Sequence, residues 1–138
     1  MAAPATGVQQ ALILFAHGAR AASWAAPFER LRELTQARMP GTAVQLAFLE
    51  LMTPRLPELV QTLLDGLPAG AALDVTVVPV FLGQGGHVLR DLPLLVEELR
   101  QQHPQLRLKV VEAVGENASV LAAIADYCVA APGASGPA

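Results

Sequence analysis

Two of the chain's three histidines stand directly after apolar runs. His17 follows the run Ala11 to Ala16, in Ala16-His17-Gly18-Ala19-Arg20, and His87 ends the segment Gly83-Gln84-Gly85-Gly86-His87, which follows Leu73 to Leu82. Neutral imidazole binds borderline divalent ions such as Co²⁺, Ni²⁺ or Fe²⁺, and it exchanges protons readily near neutrality. A closed structural zinc site needs about four protein ligands, and this chain has one cysteine and no local pair of histidines. Two or three ligands describe an open site that can hand its metal on. Glu50 lies near the end of another apolar run, Val44 to Leu51. Its carboxylate can complete the metal set or accept protons. The plainer role for Glu50 is a loop carboxylate paired with Arg55.

Other residues have weaker chemical signatures. Gly83, Gly85 and Gly86 form a glycine loop of the kind that cradles phosphate, but the G-x-G-x-x-G spacing is incomplete and no Walker lysine follows. Gly85 and Gly86 therefore read as positions that let backbone approach a flat ligand closely. Arg20 and Arg90 flank the two histidines and can meet substrate carboxylates, or stay as solvated surface arginines. His103 sits where a helix C-terminus favours it. Cys128 falls on an apolar helical stripe and reads as packing.

The elements that must carry these residues alternate. The runs Ala11 to Ala16, Val44 to Leu51, Leu73 to Leu82 and Leu106 to Val111 read as four strands. Helical spacing lies between them. Trp24, Phe28 and Leu31 share one face, with Pro27 in the first turn. Leu56, Leu59, Val60, Leu63 and Leu64 form a second stripe, entered at Thr53-Pro54 or at Pro57. Leu92, Leu95, Val96 and Leu99 form a third, with Asp91 as the expected N-cap, and Val120, Leu121, Ile124 and Cys128 a fourth, capped by Asn117. Arg107 and Lys109 alternate with apolar neighbours, as on an edge strand. Strand-helix alternation implies a parallel sheet covered on both faces. The expected fold is a three-layer α/β sandwich with a flavodoxin-like strand order 2-1-3-4. In such a sheet the ligand crevice lies at the carboxyl ends of the strands, where the first and third are neighbours. That topology brings His17 and His87 together.

Composition narrows the class. The chain has 138 residues, 53% hydrophobic and 15% charged, with a net charge of −3, which suits one domain and argues against a nucleic-acid surface. Residues 11–130 are expected to form that domain, with residues 1–10 a flexible lead and residues 131–138 a flexible tail. A single cysteine fits a reducing compartment. No apolar run approaches the roughly 20 residues of a membrane span, and the start lacks a signal-peptide pattern. The expectation is a soluble, cytoplasmic protein that binds neither nucleic acid nor membrane.

Four stretches together resemble the small, single-domain form of the CbiX-type sirohydrochlorin chelatases, the class II tetrapyrrole chelatases. They are Ala16-His17-Gly18-Ala19-Arg20, Ala47-Phe48-Leu49-Glu50 followed by Pro54, Val78-Pro79-Val80-Phe81-Leu82, and Gly86-His87-Val88 leading to Asp91-Leu92-Pro93. The resemblance implies a chelatase-like fold and insertion of a divalent metal, as substrate, into a carboxylate-rich tetrapyrrole without any nucleotide. It implies that His17 and His87 are the catalytic pair, joined by Glu50, and that chains of this length form homodimers. One position departs from the pattern: the family usually has Ser where this chain has Ala19. Two rivals use the same residues. One is a carrier that holds metal or tetrapyrrole without turnover. The other is a phosphoryl-transfer enzyme with His17 as nucleophile, but histidine phosphatases place Arg before His-Gly, where this chain has Ala16.

Overall fold

The computed structural model describes residues 7–83 and 85–137, apart from the side chains of His87 and Leu89. The elements run β1 (Val8–Ala16), a 3-10 turn (Ala22–Ala25), α1 (Ala26–Arg38), β2 (Ala43–Phe48), α2 (Leu56–Asp65), β3 (Ala72–Pro79), α3 (Gly86–Gln102), β4 (Leu106–Val110), a second 3-10 turn (Val114–Glu116), α4 (Ala118–Ala130) and a last 3-10 turn (Ala131–Gly133). The four strands form one parallel sheet in the order β2-β1-β3-β4, as the alternation predicts.

Side-chain alternation along β1 and β3 separates the two faces of the sheet. Ile13, Phe15, Val75 and Val77 point to one face and are buried there against Leu56 and Val60 of α2 and Leu92, Val96 and Leu99 of α3. Burial of each such side chain stabilises the fold by roughly 1.5–3 kcal/mol. On the other face, Ala16 and Phe48 pack with Ala25, Trp24 and Phe28 beneath α1. Among the described residues no polar or charged side chain is buried, so aliphatic packing holds the domain together.

Several boundaries differ from the sequence reading. Strand β1 begins at Val8, so the expected lead to Gln10 is three residues too long. Helix α2 begins at Leu56, not at Pro54; Arg55 rather than Thr53 is its N-cap, and the Arg55 backbone N–H donates to Glu58 Oε1 at 3.1 Å. Pro57 then falls in the first turn, where a missing N–H costs little. Helix α3 starts at Gly86 after an extended Gly85, so Asp91 lies inside it and is not its cap. Glycine's poor helix propensity hid that start. Asn117 does cap α4: the Val120 N–H donates to Asn117 Oδ1 at 3.1 Å. The expected packing of that helix is absent. No residue of α4 is buried, and Cys128 is exposed.

Candidate functional site

The β1–β2 pairing continues past the strand ends. The Leu49 N–H donates to the Ala16 carbonyl at 2.9 Å, and the Glu50 N–H donates to the His17 carbonyl at 3.1 Å. Gly18 turns the chain away at φ +96°, a conformation that L side chains rarely adopt. A Cβ at Gly18 would also collide with the Glu50 carbonyl oxygen. The tight approach therefore requires glycine. Leu51 follows at φ 67°, which bends the β2–α2 connection sharply away from the sheet.

This backbone arrangement places two side chains on one rim. His17 Nε2 lies 3.0 Å from Glu50 Oε1, with both side chains about half exposed (46% and 47%). A carboxylate only accepts, so in the metal-free pair Nε2–H donates to it. The same separation suits two ligands of one ion. Donors about 2.0–2.2 Å from a metal, set between a right angle and the tetrahedral angle, stand about 2.8–3.6 Å apart. Arg55 Nε donates to the Leu49 carbonyl at 3.3 Å, while Glu50 takes its contact from His17.

Phe81 was missed by the sequence reading. Its ring meets His17 edge to face, with centroids 6.4 Å apart, and meets Phe15 in the same way at 5.9 Å. Phe81 is buried, so it walls the imidazole on its inner side. Its position just past a strand, in a chain with 4% aromatics, was the available signal.

The other half of the crevice comes from the β3–α3 connection. Gly85 is the N-cap of α3 and Gly86 its first residue. His87 is in the first turn of α3, and its side chain lies outside the described residues. Among the described side chains no third group joins His17 and Glu50 in a metal-sized cluster. Arg20 is exposed in the turn after Gly18. Arg90 is exposed on α3, its Nε 4.0 Å from Asp91 Oδ1. His103 is the C-cap of α3, at the opposite end of that helix from His87, as expected. Beside Val88 a groove of about 510 Å³ runs between α3 and the end of β4, with Glu97, Glu112 and Glu116 among its walls. Those carboxylates disfavour an anionic ligand in the groove itself.

A parallel 2-1-3-4 sheet with a histidine and a carboxylate at the carboxyl rim defines a switch-point α/β domain built for a ligand. Its family is shown by comparison: the CbiX family model matches residues 11–130, and the chain belongs to that family. It is 30% identical over 94 residues to a sirohydrochlorin cobaltochelatase of Methanocaldococcus jannaschii, covering 68% of this chain and 63% of that protein. It is 32% identical over 87 residues to the sirohydrochlorin cobaltochelatase of Methanococcus maripaludis, covering 63% and 58%. The chain thus spans about three fifths of the length of these relatives. The crystal structure of a putative cobalamin (vitamin B12) biosynthesis CbiX protein from Marinobacter aquaeolei VT8 superposes with a TM-score of 0.73 at 30% identity, over 91% of this chain and 99% of that one. SirB from Bacillus subtilis with Fe³⁺ shares the fold at a TM-score of 0.71 and 21% identity, over 92% of this chain and 48% of that one.

Proposed function

We propose that this protein is a metal chelatase that inserts a divalent ion into sirohydrochlorin or a related carboxylate-rich tetrapyrrole, without a nucleotide. The observation that carries the reading is the His17–Glu50 pair, 3.0 Å apart at the carboxyl rim of the sheet. The names of the relatives support the substrate class. Cobalt, nickel and iron are the candidate metals, and the cytoplasm, as a homodimer, is the proposed setting. No helix among the described residues is long and apolar enough to cross a membrane.

Metal insertion has two demands. The ion must shed water, and two pyrrole N–H protons must leave as it enters. His17 and His87 hold the ion at one face of the macrocycle, and Glu50 with His17 takes up protons as they are released. Both groups are half exposed, so the protons pass on to solvent. Arg20 and Arg90 are exposed and free to meet the peripheral carboxylates, while Gly85 and Gly86 leave the rim low enough for a planar ligand. Ala19 contributes no hydroxyl to this rim, which leaves positioning to the arginines.

The test is absorbance-monitored insertion of Co²⁺, Ni²⁺ and Fe²⁺ into metal-free sirohydrochlorin by the full chain. Conversion above the uncatalysed rate with at least one ion is expected. Tight binding of macrocycle or metal without conversion would make the protein a carrier and sink the proposal.

A further inference from the structure

Helix α4 and one part of the sheet are each without a partner in the single chain. All residues of α4 except Ser119 and Asp126 are apolar, and the apolar residues run around the whole helix. A helix apolar on every side belongs in an interior. Yet none of its residues is buried, and Tyr127 and Val129 are 71% and 80% exposed. Val120, Ala123, Ile124, Tyr127 and Cys128 line one continuous shallow strip along it. An apolar patch of this kind marks an interaction surface.

The bare sheet surface lies on the side opposite α2 and α3. There α1 covers β1 and β2 only. The β3 and β4 residues of that face are Asp74, Thr76 and Val78 beside Arg107 and Lys109, with Asp74 in register with Arg107 and Thr76 with Lys109. Arg107 and Lys109 are exposed, and the three β3 residues are half-buried. In a sheet sandwiched by helices, this is where the fourth helix belongs.

We infer that two copies exchange α4, each helix covering the β3–β4 face of the other copy. This inference rests on the homodimer of the proposed function and specifies its geometry. Three observations select a second copy as the occupant. One chain carries both an unpartnered helix and an unpartnered face, which is the self-complementary pattern a two-fold interface needs. The charges match: α4 has one charged residue, Asp126, at the flank of its strip, and the face has Arg107 and Lys109. The size is also right. Two helices about 20 Å long and about 10 Å wide, each burying its own side and an acceptor, reach the roughly 1,200–2,000 Å² of a stable interface.

The root of α4 also ties the exchange to the site. The Gly115 N–H donates to the Phe81 carbonyl at 2.9 Å, and a Cβ at Gly115 would collide with the Leu82 backbone. Phe81 is the wall of His17. A docked α4 therefore steadies the segment that supports the imidazole.

The experiment uses the full chain and two variants in sedimentation at micromolar concentration. Ile124→Arg spoils the helix, and Thr76→Arg spoils the face. Wild type should sediment as a dimer and each variant as a monomer with an unchanged circular dichroism spectrum. An equimolar mixture of the variants should recover a heterodimer, because one intact helix then meets one intact face. Cys128 should react with iodoacetamide at least tenfold more slowly in wild type than in Ile124→Arg. Should either variant unfold, the contrast between Cys128 labelling in wild type above and below its dimerisation range makes the same decision. A monomeric wild type, variants that stay dimeric, a mixture that stays monomeric, or Cys128 equally reactive in monomer and dimer each overturn the exchange. Sirohydrochlorin metallation is measured separately. A monomer that inserts metal refutes the exchange alone, and a dimer that inserts none refutes the chelatase reading alone.

Discussion

The two connections that build the crevice are constructed in opposite ways. The β1 exit is clamped. His17 is held by backbone hydrogen bonds to β2, by the Gly18 turn pressed on the Glu50 carbonyl, and by the Phe81 ring behind it. The β3 exit is open: a Cβ added at Gly83, Gly85 or Gly86 would meet nothing within 4 Å. One side of the site is thus fixed in advance, and the other has room. Chemistry on a large planar ligand benefits from this division. A rigid side sets where the metal stands, and an open side admits the macrocycle.

The strongest challenge to that division is removal of the histidines. His17→Ala and His87→Ala should each slow metal insertion by about 10²–10⁴-fold, the range of a positioned proton-transfer group. His17 is about half exposed, so its loss leaves no core cavity and thermal unfolding should be unchanged. The double variant should be little worse than either single one, since residues acting as a unit fail together. His103→Ala, at the far end of α3, should match wild type. Steady-state absorbance assays of the four variants decide the matter, and near-normal rates for both single histidine variants would refute the shared role.

Glu50→Gln tests the clamped side more gently. The amide keeps the shape and can still accept from His17, but it loses the charge that attracts an ion. Metal affinity, read by calorimetry with Co²⁺, should fall about 10–100-fold, and acidification should weaken wild-type binding too, because a protonated imidazole has no lone pair for metal. Affinity equal to wild type would remove Glu50 from the metal set.

A glycine pair gives the smallest effect and the most direct comparison of the two loops. Gly18→Ala forces a side chain into a positive-φ turn against backbone and should destabilise the fold by about 1–3 kcal/mol. Gly85→Ala, in open space and extended backbone, should stay within about 0.5 kcal/mol of wild type. Urea unfolding curves measure both; equal losses would mean that the two loops do not differ in rigidity.

Much of this was legible in the residues. Continuous apolar runs such as Ala11 to Ala16 announce parallel strands, because a strand buried on both faces has no polar alternation. The strand order followed from the need to cover both faces, and the crevice from that order. The pairing of Glu50 with His17 was only one of two readings, since sequence spacing did not say whether Arg55 or His17 would reach the carboxylate. The early start of α3 was hidden because Gly85 and Gly86 look like loop on propensity alone. Phe81 was overlooked because a ring-to-ring contact between separate strand ends has no local pattern. Helix α4 misled in another way. Its stripe promised burial, but a periodic pattern specifies only that a helix needs a partner, not which molecule supplies it.

The chain's single tryptophan and single tyrosine divide its ultraviolet spectrum between two places. Trp24 stacks on Phe28 at 4.5 Å and lies 6.5 Å from Phe48, two residues before Glu50. Tyr127 stands on α4, 71% exposed. The molecule therefore carries its own optical labels. Tryptophan emission reports a coloured macrocycle arriving at the rim through energy transfer, and the tyrosine signal follows the environment of the terminal helix. Occupancy and association can be followed in the same cuvette on the unmodified protein.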